Sequence, residues 1–244
     1  MNHTATLGKM QAMKLRGMAE AFERYRDAGR QAERLTPDEL AGHLVDAEWE
    51  DRQTRKFRRL LKGAKFRYQA GFESLDFSLK RKLDKDLVMR LRECDWIRKG
   101  RNVIITGPTG VGKSYLASAL GHQACMLDFK VRYFNCLKLF AFLKQSQADH
   151  TYSREIRKIQ KADLLVLDDF GLEPLDSKER MYLMEIMEDR HGEKSTVVVA
   201  QRPVKQWHEV IGDSTVADAI CDRLVHAAYR FELDGENARK TAKT

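Results

Sequence analysis

The sequence predicts an α/β fold, a parallel five-stranded sheet with flanking helices behind a small all-helical N-terminal domain. Three observations predict it. Short β-branched runs alternate with helical stretches from residue 102 onward. Near-continuous apolar runs such as LLVL suit strands buried on both faces. The residues before them show only helical spacing.

Leu7, Met10, Leu15, Met18, Phe22 and Tyr25 recur at helical intervals. Thr36-Pro37-Asp38-Glu39 then reads as a helix start: Thr36 can cap, Pro37 suits the first helical position, and Glu39 can close a capping box. Leu40, Leu44, Ala47, Phe57 and Leu61 share one face of the helix that follows. Gly63 and Gly71 punctuate the passage to the second region, and the division expected is 1–66 and 67–244. The strands expected there are 102–106 (NVIIT), 131–135 (VRYFN), 164–167 (LLVL), 196–200 (TVVVA) and 229–233 (YRFEL). Helices are expected near 113–127, 136–147, 177–191 and 215–226. Strands alternating with helices imply crossover connections and a parallel sheet.

Bulk properties bound the function. In 244 residues, 43% hydrophobic and 33% charged, Lys and Arg number 44 against 36 Asp and Glu, a net charge of +8. That balance suits an anionic partner such as nucleic acid, or is simply a basic surface. Cys94, Cys125, Cys136 and Cys221 have neither C-x-x-C nor zinc spacing and read as reduced core thiols. With no apolar run of signal or membrane-span type, a cytoplasmic protein with no membrane partner is expected.

Gly107-Pro108-Thr109-Gly110-Val111-Gly112-Lys113-Ser114 matches G-x-x-x-x-G-K-[ST] at every fixed position, between the strand NVIIT and the helix KSYLASALGHQA. Glycines let backbone N–H groups surround a phosphate, and the helix start adds its dipole. Lys113 supplies a charge for the β- and γ-phosphates, and the Ser114 hydroxyl can ligate Mg²⁺. Tyr115, next on the helix, completes the expected nucleotide-binding residues. ATP with Mg²⁺ is the cofactor this pattern implies.

Hydrolysis needs a carboxylate at a strand tip. LLVLDD supplies Asp168 for the metal and Asp169 where a general base would polarise water, although paired acids ending a strand can also cap a turn. Gln201, just past TVVVA, either senses the γ-phosphate or is an ordinary loop residue.

From Arg52 through Phe72 there is no acidic residue, while Arg52, Arg55, Lys56, Arg58, Arg59, Lys62, Lys65 and Arg67 fall within sixteen positions. Such charges repel unless phosphates neutralise them, so the stretch is either a DNA-backbone contact without sequence preference or a solvated face. A second cluster, Lys80, Arg81, Lys82, Lys85, Arg90 and Arg92, is diluted by acids.

GPTGVGKSYLA, DLLVLDDFGLEPL and the tail QRPVKQWHEVIGDSTVADAICDRLVHAAYRFELDGENARK together resemble the AAA+ ATPases. Within them, the likeness is to the IstB-like transposition helper ATPases, relatives of the DnaC-type helicase loaders. It runs over roughly Phe72 to Lys240. The resemblance implies a magnesium-dependent ATPase that assembles as a homo-oligomer on duplex DNA and serves a transposase, with helicase loading as the alternative. It makes Gly107 to Ser114 Walker A, Asp168 the Walker B aspartate and Asp169 the catalytic position, where AAA+ proteins usually carry Glu. Gln201 stands at sensor 1. Arg223, in CDRLV, stands at the arginine finger; an ion pair with Asp218 or Asp222 is its other reading. The last strand lies so near Thr244 that no C-terminal lid is expected, and Arg239 is the only candidate for a lid arginine. A small-molecule kinase would need an arginine-rich lid and an acceptor pocket, and a nucleotide-gated scaffold would bind ATP while barely hydrolysing it.

Overall fold

The computed structural model describes residues 2–27, 35–78 and 81–235. Its two compact units are residues 1–59 and 60–244, which divide within the helix Pro37–Ala64.

In the N-terminal unit the expected helical run is two helices, α1 (His3–Ala12) and α2 (Arg16–Asp27). The break is a Schellman turn with Lys14 at φ +61°. There Lys14 N–H bonds the Gln11 carbonyl and Leu15 N–H the Met10 carbonyl. Helix α3 (Pro37–Ala64) begins with the predicted capping box. Thr36 N–H donates to Glu39 Oε2 at 2.7 Å and Glu39 N–H to Thr36 Oγ1 at 3.3 Å. Glycine at position 17 lets α2 approach the α3 backbone, since a Cβ there would collide with the Ala47 carbonyl.

The second unit is built on five strands: β1 (Val103–Thr106), β2 (Val131–Asn135), β3 (Leu164–Phe170), β4 (Ser195–Ala200) and β5 (Tyr229–Glu232). Their order is β2-β3-β4-β1-β5, all neighbours parallel. β1 and β4 are buried at every residue, and the edge strand β5 buries mainly Phe231. The predicted helices appear as α6 (Lys113–Met126), α7 (Cys136–Ala148), α9 (Ser177–Arg190) and α11 (Ser214–Val225). Four further helices, α4 (Lys85–Arg92), α5 (Asp95–Arg98), α8 (Tyr152–Gln160) and α10 (Trp207–Ile211), were not legible as separate elements. Each is short; α8, for example, buries only Ile156 and Ile159, too few turns to show a period. Between the sheet and α7, α8, α9 and α11 lies a core including Phe140, Phe170, Ile186 and Trp207.

One local irregularity shapes the site. β3 continues past Leu167 through both acids to Phe170. Between Leu167 and Phe170 it carries one residue more than β4, which pairs Val198 and Ala200 with those two positions. Asp169 takes this bulge at φ +57°. A bulge re-aims side chains that would otherwise alternate between faces.

Candidate functional site

The loop Gly107–Gly112 leaves β1 at its carboxyl end and runs into α6. Its backbone is possible only with glycine at two ends. Gly107 has φ +143° and sits where a Cβ would strike the Leu233 carbonyl, while Gly112 has φ +93° against the Arg81 guanidinium. Val111 is buried, Pro108 and Thr109 are exposed, and Lys113 is 7% exposed with Nζ donating to the Pro108 carbonyl at 2.7 Å. Thus the lysine amine lies across the loop it would serve.

Asp168 is the hub. It is fully buried, and four donors converge on it. Oδ1 accepts from Ser114 Oγ at 2.9 Å and from Asp169 N–H at 2.9 Å. Oδ2 accepts from the Tyr133 hydroxyl and from Arg67 Nη1 at 3.4 Å. Burial, reinforced by the Asp168 hydrogen bond, raises the Tyr133 pKa, so the phenol stays a donor. Asp169, on the bulge, receives Arg67 Nη1 at 3.1 Å and Asn135 Nδ2 at 2.8 Å, both on Oδ2. The Asn135 amide is fixed because its Oδ1 caps α7 through Lys138 N–H at 3.2 Å.

These residues fit a nucleotide and its metal. A glycine loop that can cradle an anion opens α6, and a hydroxyl and a carboxylate stand 2.9 Å apart on facing elements. Mg²⁺ characteristically takes one or two such protein oxygens and completes its shell with phosphates and water. Among the described residues no group of three or more His, Cys, Asp or Glu could hold a metal.

The remaining expected residues are dispersed. Tyr115 packs its ring 6.2 Å from Tyr68. Gln201 is exposed and follows Ala200, which pairs with Thr106 of β1 and with Phe170 of β3. It therefore emerges between the loop strand and the acid strand. Arg223 lies toward the opposite end of the sheet. Asn102, which precedes β1, donates Nδ2 to the Arg223 and Leu224 carbonyls at 2.9 and 3.1 Å. Its guanidinium bonds the Ala219 carbonyl at 2.9 Å and stands 3.8 Å from Glu188, not paired with Asp218 or Asp222. Arg239 and Lys80 fall outside the described residues.

The basic stretch divides. Arg52 pairs with Glu48 at 2.6 Å and Arg55 with Asp51 at 2.7 Å, each acid one turn upstream of its partner. Arg58, Arg59, Lys62 and Lys65 are exposed, and Lys56 is half-buried. Arg67 sits with Asp168 and Asp169, a placement that charge counting along the chain missed. In the second cluster, Arg81 is buried, with Nη1 on the Val111 carbonyl at 3.3 Å and Nη2 on the Asp76 carbonyl at 2.7 Å. Lys82 pairs with Asp234 at 3.1 Å and Arg92 stands 3.8 Å from Glu73.

Residues 8–244 match the family model for the IstB-like ATP binding protein. The chain belongs to that family. It is 46% identical over 238 residues, 98% of this chain and 97% of the relative, to the putative insertion sequence ATP-binding protein y4pL of Sinorhizobium fredii. It is 38% identical over 199 residues, 81% of this chain and 86% of the relative, to the insertion sequence IS1162 putative ATP-binding protein of Pseudomonas fluorescens. Among solved structures it resembles DnaI, with TM-score 0.56 and 22% identity over 72% of this chain and 93% of that one. It also resembles the DnaC helicase loader, with TM-score 0.51 and 18% identity over 73% and 99%. These two likenesses show that this IstB-like chain shares its parallel α/β fold with those proteins, and the family match supports ATP as its nucleotide. No described helix is long and apolar enough to cross a membrane.

Proposed function

We propose that this IstB-like protein is a cytoplasmic, ATP-dependent DNA-binding helper of a transposase, which assembles on target duplex DNA and regulates transposition through ATP binding and hydrolysis. The observation that carries the ATPase reading is the contact of Ser114 Oγ with Asp168 Oδ1 at 2.9 Å, which joins the glycine loop to the acid strand. The names of the insertion-sequence relatives support the transposition context.

In this reading the loop amides and Lys113 bind the phosphates, and Ser114 with Asp168 holds Mg²⁺. When bound, the ion neutralises phosphate charge and draws electron density from the γ-phosphoryl. Asp169, held through Oδ2 by Asn135, keeps Oδ1 for the attacking water and takes its proton. An aspartate reaches less far than a glutamate, which suits slow turnover raised by a partner. Gln201 emerges where an amide can orient the water. Arg223 stands toward the far end of the sheet from its own loop, which suits service to a neighbouring subunit's γ-phosphate. The N-terminal helical region, through Arg58, Arg59, Lys62 and Lys65 with the flanking Arg52, Arg55 and Lys56, is the DNA- and partner-binding part. It grips phosphates without reading bases.

The test is the particle size of wild type and Arg223→Ala with and without ATP and duplex DNA. Larger assemblies that need both ligands, and that the substitution abolishes, are expected. Equal assembly by the variant would remove Arg223 from the mechanism, and no DNA-dependent assembly in wild type would remove the helper reading.

A further inference from the structure

We propose that Arg67 belongs to the metal site, as a positioning residue that holds Asp169 and opposes, through its charge, a divalent ion at Asp168. The inference rests on the reading that Ser114 and Asp168 take such an ion.

Packing, not chance, puts Arg67 there. It follows α3 within a segment anchored on both sides. Arg132 of β2 donates to the Gly63 carbonyl at 2.7 Å, and Phe66 meets Tyr133 edge-on with centroids 6.0 Å apart. Phe66 also lies against Gly121 of α6 so closely that a Cβ there would collide with its ring. The same Tyr133 donates its hydroxyl to Asp168. The guanidinium carbon lies 5.5 Å from the Tyr68 ring centroid, and that ring neighbours Tyr115.

From this anchor a single nitrogen, Nη1, reaches Asp169 at 3.1 Å and Asp168 at 3.4 Å. A guanidinium keeps its charge at any physiological pH, so both contacts are ionic. A cation here has two consequences. It fixes the Asp169 carboxylate together with Asn135. It also sits on the same Asp168 carboxylate that would take such an ion with Ser114, so the two positive charges would repel. Asp168 cannot yield, because its side chain is wholly buried, whereas that of Arg67 is 43% exposed and can swing outward. Of the two groups only Arg67 has room to shift, and while it stays on both carboxylates it keeps divalent affinity below what the oxygen donors alone would give.

The experiment titrates Mn²⁺, followed by its electron paramagnetic resonance signal, into full-length protein with a non-hydrolysable ATP analogue. Wild type, Arg67→Gln, Arg67→Ala and Arg67→Lys are compared, and thermal melts report folding. Both neutral variants should bind Mn²⁺ about tenfold more tightly or better, and the lysine variant within about threefold of wild type. Mn²⁺ should also raise the melting temperature of the glutamine variant more than that of wild type. Wild-type Mn²⁺ affinity in a folded Arg67→Gln protein, or weaker binding, would overturn the role of Arg67 and leave the nucleotide–metal reading standing. Wild type that takes the analogue with no Mn²⁺ uptake would overturn that reading, and this inference with it.

Discussion

Asn135 holds Asp169 with the nitrogen of the same amide whose oxygen caps α7, at 2.8 Å on one side and 3.2 Å from Lys138 N–H on the other. One side chain thus starts a helix and orients the carboxylate proposed as the base. The two duties separate by substitution. Serine at 135 still caps but is too short to reach Asp169. Asn135→Ser should keep unfolding free energy within about 0.5 kcal/mol of wild type. It should lower ATP turnover about tenfold with nucleotide affinity unchanged, as single-turnover kinetics beside equilibrium binding would record.

Lys113 reaches across the loop to Pro108. Its removal takes away the amine proposed to meet the phosphates while leaving the glycine backbone intact. Lys113→Ala should weaken ATP binding by about 100-fold, equivalent to about 2.7 kcal/mol, and shift the melting temperature little. Calorimetric titration tests both parts, and undiminished affinity would sink the phosphate-loop reading.

Asn102 joins three backbone groups. Besides the Arg223 and Leu224 carbonyls, its Oδ1 accepts Thr196 N–H at 2.9 Å. It therefore ties the end of α11 to β4 at the amino end of the sheet. Asn102→Ala leaves buried polar groups without a partner and should cost about 2–3 kcal/mol in urea unfolding. ATP-dependent assembly should fall even where the fold survives, because the helix bearing Arg223 loses its tether.

Burial pushes the Cys94 and Cys125 thiols up from 9.0 to about 12. In the folded protein they stay protonated where the unfolded chain has ionised. The stabilising effect is complete below pH 9 and is lost as pH rises from there toward about 12. Each thiol should contribute a fall of about 1.4 kcal/mol per pH unit in that window. Urea midpoints measured from pH 8 to 11 should decline more gently in a Cys94→Ala, Cys125→Ala double variant. Half-buried Cys221 should be the thiol that maleimide labels first at neutral pH.

The sequence by itself determined the elements and the chemistry that is local in the chain. The central strands β1, β3 and β4 announce themselves as near-continuous apolar runs. Thr36 with Glu39 announces a helix start, and eight consecutive residues from Gly107 carry the phosphate loop, because these patterns span fewer than ten positions. Tertiary structure decided how distant residues meet. Arg67 lies 102 positions from Asp169 and Asn135 lies 34 from it. No periodicity encodes such separations; the adjacency of β2 and β3 brings Asn135 opposite Asp168. The bulge at Asp169 likewise depends on pairing with β4, and it turns two successive acids toward one guanidinium. Charge counting grouped Arg67 with the basic helix it follows. Packing of Phe66 against Gly121 and Tyr133 carried it to the acids instead, because buried contacts outweigh proximity along the chain.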